Sequence, residues 1–268
     1  MKKIFKGLLA TGLAISMLSG CSSNQTTDTN QVELEEQTII VAAAASLQNA
    51  YENDLIPMFN ELYSNVTVSG VYDGSGKLKD QIIGGLDADV FMSADTKNMD
   101  ALTEEDYINT DTRVDLLENK IVLIVPNDSD LGLKSFEDLA NLEDGKIIAL
   151  GDPESVPAGT YAKESLTNLN VWDSIQDNIT YAGKVTEVLE QVASGNADCG
   201  IVYSTDALSN DKVTVICEAP ADSVSKAIYP VAILKNTKHS DAASAFLEFL
   251  QSDEALAIFE KYGFTINK

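Results

Sequence analysis

The chain has 268 residues, with 42 acidic against 18 basic side chains and a formal charge of −24. Arg113 is its one arginine, which argues against a nucleic-acid partner, whose phosphates call for lysine and arginine in quantity. Hydrophobic residues make up 44%, enough for two lobes of about 100–130 residues each.

Lys2, Lys3 and Lys6 form a basic start, and residues 7–17 form an apolar run too short to span a bilayer. The run ends in Leu18-Ser19-Gly20-Cys21, which resembles the lipobox of bacterial lipoproteins. The expectation is a signal peptide over 1–20, a lipidated Cys21 and a protein held on the outer face of the cell membrane. Without the signal lysines the count becomes 15 basic against 42 acidic, or −27. Residues 22–37 are polar, acidic and aperiodic, so 21–37 reads as a disordered tether.

Structure is expected from Thr38. Residues 38–44 (TIIVAAA) suit a buried parallel strand. Leu47, Tyr51, Leu55, Phe59 and Leu62 then recur at helical spacing, in a helix that Pro57 should kink or segment. A strand over 66–71, the turn Gly74-Ser75-Gly76, a helix over 77–83 and a strand over 89–93 follow. Residues 121–125 (IVLIV) close this first group before Pro126. Strands over 146–150, 199–203 and 213–217 form a second group, with helices over 161–166 and 186–193. A late strand over 229–234 precedes two terminal helices, one with Phe246 and Leu250, the other with Leu256 and Phe259.

This alternation predicts an α/β fold. The terminal helices have no lobe of their own and should pack on the first. The expected layout is lobe I over 38–124 plus 230–268 and lobe II over 125–229. Two crossing hinge strands, near 121–126 and 229–234, would leave a cleft between the lobes. Cys199 and Cys217 could form a disulfide in an exported protein or stay as separate buried thiols; the sequence leaves both open.

Four turns place a small, hydroxyl or apolar residue at a predicted helix start: Ser46, Ser75, Ala158 and Val185. First-turn N–H groups lack intrahelical partners and carry about half a positive charge. Several aimed at one cleft would bind an anion without a full cation. Each site alone is equally at home as a cap or tight turn. Tyr203, read alone, is a strand residue with a buried ring.

Longer runs add to this. Val41-Ala-Ala-Ala-Ala-Ser46, Gly74-Ser75-Gly76, and Ala88 to Asp95 are matched by Ala149 to Glu154, which runs into Val156-Pro157-Ala158-Gly159-Thr160. Gly200-Ile201-Val202-Tyr203, Tyr229-Pro230-Val231-Ala232 and Phe259 to Phe264 complete the series. In these runs the chain resembles the molybdate-binding proteins of ABC transporters, a periplasmic-binding-protein type II class with mixed sheets flanked by helices. The resemblance implies capture of molybdate or tungstate and delivery to an ABC transporter permease. It makes Ser46 and Ser75 hydroxyl and amide donors, Ala158 and Val185 backbone donors, and Tyr203 a phenolic donor. Molybdenum would be bound only as the oxyanion, without a cofactor, in a monomer. Asp73 departs from the small neutral residue usual there and is expected to point outward. Lys184 stands in place of a common asparagine and would lend positive field.

An enzyme is the rival class, but the sequence has no GxSxG elbow, HExxH, P-loop or CxxC. Its one histidine, His239, lies in a polar stretch and is expected at the surface. A binding protein for another oxyanion such as sulfate is the second alternative. Iron fits less well, because only Tyr203 is placed at the cleft.

Overall fold

The computed structural model describes residues 34–267; the expected signal peptide, Cys21 and the tether as far as 33 lie outside the described residues. Residues 34–37, expected in the tether, belong to the folded part. Leu34 is buried and its carbonyl accepts from Asn65 Nδ2 at 3.2 Å. Gln37 N then donates to Asn65 O, at the first pair of the first strand. Val32 and Leu34, the two apolar residues of this acidic run, are too few to set a period.

Along the chain, β1 (Gln37–Ala44) enters a helical run over 45–62: a 3₁₀ turn (Ala45–Leu47), α1 (Gln48–Ala50), a π turn (Tyr51–Leu55) and α2 (Ile56–Leu62). Pro57 is the second residue of α2. It cannot donate to residue 53, and its ring crowds that carbonyl. The switch to π register just before it is how the run absorbs this. β2 (Val66–Asp73), α3 (Ser75–Ile83), β3 (Val90–Met92), α4 (Thr96–Glu104) and β4 (Val114–Asn119) follow. Past Lys120 come β5 (Ile121–Pro126), β6 (Ile148–Gly151), α5 (Pro157–Asn168), β7 (Ile179–Ala182), α6 (Val185–Ala193), β8 (Cys199–Tyr203), α7 (Ser204–Leu208) and β9 (Val213–Glu218). The chain ends in β10 (Ala227–Ile233), α8 (Ser240–Leu250), α9 (Asp253–Lys261) and β11 (Thr265–Ile266).

Two mixed sheets result, ordered β11-β4-β10-β3-β1-β2 and β7-β6-β8-β5-β9, which is the expected α/β class. The boundaries differ from the expected ones. β5 lies wholly in the second sheet, between β8 and β9, and β10 wholly in the first, between β3 and β4. The changeovers are therefore Lys120 and residues 219–226, not 124/125 and 229/230. An apolar run buried on both faces announces a central strand but not which sheet receives it. The terminal helices pack on the first lobe. Phe246 meets Phe59 edge-on at 5.0 Å, and Tyr51 lies 6.1 Å from Phe246 and 6.2 Å from Phe259.

The two cysteines carry free thiols, Cys199 buried and Cys217 partly exposed. β5 separates their strands, so they stand two strand spacings, about 10 Å, apart, beyond disulfide reach. Burial pushes the Cys199 thiol up to about 12; burial and the nearby Glu137 and Asp138 also raise Cys217. In a soluble form beginning after Cys21, a thiol reagent should label Cys217 slowly and Cys199 only on unfolding. Dithiothreitol should leave the melting temperature unchanged; a drop of several degrees would reveal a disulfide.

Candidate functional site

The C-terminal ends of β1, β2, β6 and β7 all feed helical turns, and these turns converge. Ser46 sits in the 3₁₀ turn after β1, and Ser75 opens α3 after the N-cap Gly74. Val185 opens α6 after the extended N-cap Lys184. α5 begins four residues earlier than expected, with Pro157 at its first position and Ala158 next. Proline is suited there, since its missing N–H would have had no partner. Gly159 lets this turn lie flat on the end of β6: a methyl at Gly159 would stand 2.0 Å from Gly151 O. The site residues are thus inside first turns, not merely ahead of them. No turn, loop or side-chain acceptor among the described residues meets the N–H of Ser46, Ser75, Ala158 or Val185.

All five expected residues, Ser46, Ser75, Ala158, Val185 and Tyr203, line one cavity between the lobes. Its volume is about 10 Å³, room for about one water and far below the roughly 300–1,000 Å³ of sites for drug-sized molecules. A sugar or peptide does not fit in this closed arrangement. No lysine or arginine lines it among the described residues.

The hydroxyls are held in defined directions. Ser75, fully buried, accepts from Ala94 N at 3.0 Å, which leaves its own proton to point elsewhere. Ser46 Oγ lies 2.9 Å from the Tyr229 hydroxyl. Tyr203 donates to Ala94 O at 3.2 Å, a bond from the second lobe to the first. Its ring packs edge-on against Tyr161 and Tyr229. Burial drives the phenols of Tyr203 and Tyr229 well above the usual tyrosine range, so both keep their protons and remain donors. Asp95 caps α4 nearby, with Oδ1 accepting from Asn98 N and Ser93 Oγ. Burial raises its pKa against those hydrogen bonds.

Asp73 is not simply turned outward, as expected. It stands at the cavity edge, where its carboxylate bends back to accept from Gly74 N at 2.8 Å and faces Lys77 Nζ at 3.6 Å. The cation beside it is therefore Lys77, which the sequence reading passed over. Lys77 also reaches the second lobe, since a methyl on Gly183 would stand 2.3 Å from its Nζ. His239 is only half-exposed, with Nδ1 3.2 Å from the buried Asp89, at the end of β3 away from Ala94. Two cavity supports read only as strand residues are Asn119 and Tyr229; nothing in their local pattern signals a polar role.

Such a site offers donors and no lining cation, and its one carboxylate, Asp73, is turned onto Gly74 N. It fits a fully deprotonated oxyanion, which only accepts.

Known proteins resemble the chain over nearly all of its described length. A family described as Bacterial extracellular solute-binding protein matches residues 39–265. YvgL of Bacillus subtilis, provisionally named an ABC transporter substrate-binding lipoprotein, is 43% identical over 265 residues, 99% of each chain. The molybdate-binding protein ModA of Escherichia coli is 39% identical over 236 residues, 87% of this chain and 90% of that one. The solved periplasmic molybdate-binding protein of Azotobacter vinelandii superposes with a TM-score of 0.76 at 22% identity, covering 86% of this chain and all of the other.

Proposed function

We propose, from the premise that the chain belongs to the bacterial extracellular solute-binding protein family, that its cleft captures molybdate or tungstate and delivers it to an ABC transporter permease. The observation that carries this is the convergence of four unpartnered helical amides with the Ser46 and Ser75 hydroxyls on one small cavity without a cation, which Tyr203 also lines with its proton on Ala94 O. A relative 39% identical is named for molybdate.

The energetics are sufficient. Hydrogen bonds to a charged ligand contribute roughly 1.5–3 kcal/mol each. Four amides and two serine hydroxyls give six such bonds, roughly 9–18 kcal/mol, whose upper range reaches the −8 kcal/mol or so of micromolar binding once ordering costs are subtracted. The surface charge of the chain slows anion approach without weakening a site shut away from water. The ligand is the metal's oxyanion itself, with no cofactor, and binding involves no turnover. Ser46 and Ser75 have no histidine beside them, since His239 is engaged with Asp89. Lipidation of Cys21 would hold a monomer at the outer face of the membrane, next to its permease.

Calorimetry with molybdate, tungstate, sulfate, phosphate and vanadate tests the reading. The first two should bind at micromolar Kd or tighter, with the others weaker. Ser75→Ala should weaken molybdate at least tenfold, the loss of one charge-assisted donor, and lower the unliganded melting temperature by several degrees, because Ala94 N loses its acceptor. No heat and no thermal stabilisation from molybdate or tungstate would end this assignment.

A further inference from the structure

We infer that Asn119 and Tyr229 are positioning residues that fix the direction of the Ser46 O–H bond, and so help the site choose fully deprotonated oxyanions over protonated ones. The inference rests on the oxyanion reading above. It starts from the side-chain amide of Asn119, the last residue of β4, at the changeover between lobes. Asn119 Oδ1 accepts from Lys120 N at 2.8 Å and from Ser204 Oγ at 3.0 Å. A backbone N–H can only donate, so this end of the amide is the oxygen. Nδ2 therefore faces the other way and donates to Thr205 Oγ1 at 2.9 Å and to the Tyr229 hydroxyl at 3.2 Å.

Tyr229 is aimed at this point by its backbone. β10 shifts register against β4 between Tyr229 and Pro230, and such irregularities re-aim a side chain. The ring is clamped edge-on by Tyr203 at 5.5 Å and Phe264 at 5.3 Å, and it is fully buried. Its oxygen accepts from Asn119, so its single proton needs another acceptor, and Ser46 Oγ lies 2.9 Å away. The Tyr203 hydroxyl is a second partner of Tyr229, but Ser46 Oγ at 2.9 Å is the one in direct hydrogen-bond geometry. If Ser46 donated instead, the buried phenol proton would be left with the poorer acceptor. Tyr203 directs its own proton to Ala94 O. The order is therefore Asn119 to Tyr229 to Ser46, each group donating to the next. Ser46 receives a proton from behind and turns its own into the cavity.

A fixed donor favours a ligand oxygen that only accepts. A protonated oxyanion such as monohydrogen phosphate presents an O–H that would meet this donor head-on. Removal of the Tyr229 hydroxyl frees Ser46 to rotate and accept, so both affinity and choice should suffer.

The test is a double-mutant cycle by calorimetry at constant pH with molybdate and phosphate, alongside unliganded melting temperatures. Tyr229→Phe alone should weaken molybdate about tenfold and narrow the molybdate-to-phosphate ratio. In the Ser46→Ala background the same change should cost no further affinity. Equal losses in both backgrounds would show that Tyr229 acts through packing, and would overturn the relay while wild-type molybdate binding stood. Absence of oxyanion binding by the wild type would remove both readings. Should Tyr229→Phe fail to fold, Asn119→Asp serves in its place. Its carboxylate would draw the Tyr229 proton, leaving Ser46 to donate backwards, and should lower the molybdate-to-phosphate ratio. An unchanged ratio would overturn the relay.

Discussion

Gly76→Ala should leave the unliganded protein as stable as the wild type and weaken molybdate binding about a hundredfold. Gly76 is the second residue of α3, in the first lobe, and its N–H donates to Ser155 O of the second lobe at 3.0 Å. A methyl there would stand 2.8 Å from both the Cα and the carbonyl oxygen of Ser155. The obstacle is backbone, which cannot swing aside like the end of a side chain, so the lobes must part to admit it. Alanine within a helix is otherwise favourable, by about 1 kcal/mol over glycine. The substitution therefore should not unfold α3, and its effect falls on closure. Ser46 and Ser75 come from one lobe and Ala158, Val185 and Tyr203 from the other. A cleft held open offers an anion about half its donors, and the loss of two or so charge-assisted bonds corresponds to roughly a hundredfold or more. Calorimetry gives the affinity, and small-angle scattering should show that ligand no longer compacts the variant. Wild-type affinity in Gly76→Ala would mean that the contact with Ser155 is not needed for binding.

Much of this was legible in the sequence, for identifiable reasons. Buried central strands such as β1 and β8 are continuous apolar runs, and the glycine and proline punctuation around Ser75 and Ala158 marks helix starts. β4 and β7 were not legible. β4 mixes Asp115 and Glu118 with its apolar residues, and β7 is a half-exposed edge strand of four residues. α4 is polar apart from Met99, Ala101 and Leu102, too weak an apolar period to announce a helix. Within the site, sequence reasoning reached the residues whose backbone faces the cavity. It missed those that act one bond further back, Asn119, Tyr229 and Lys77. The roles of Asn119 and Tyr229 arise from pairings across 86 to 183 positions of chain, which no local pattern encodes; Lys77 pairs with Asp73 four positions away, a spacing the sequence does display. Asp73 and His239 were misplaced for a related reason: a polar residue's surroundings depend on partners that its own neighbours do not name.

Asp206→Asn should change stability in a way that depends on pH, with the variant's advantage growing between about pH 4 and pH 7. Asp206 lies in the third position of α7 and is almost fully buried, and its Oδ2 has no hydrogen-bond partner among the described residues. Burial raises its pKa to about 7, against a smaller opposing effect from the Tyr203 backbone N–H. The sign follows from linkage. Here the folded pKa lies above the unfolded value of 3.8, so between the two the folded state binds the extra proton. Stability from this group is intact below about pH 4, declines as pH rises, and is lost above about pH 7. At 1.36 kcal/mol per pH unit, a window of some three units corresponds to about 4 kcal/mol. Asparagine matches the protonated acid in shape and carries no charge. The two proteins should therefore be similar near pH 4, and the variant should gain about 1.4 kcal/mol per unit up to pH 7. Urea denaturation of both at each pH gives the difference, in which every other titrating group cancels. The lowered carboxyls of Asp54 and Asp198, which act in the opposite sense at acid pH, drop out in this way. A difference that stays flat from pH 4 to 8 would mean that Asp206 is not carrying a buried charge at neutral pH. A rising one would show that a carboxylate beside Tyr229, behind the Ser46 hydroxyl, is kept at a cost to the fold.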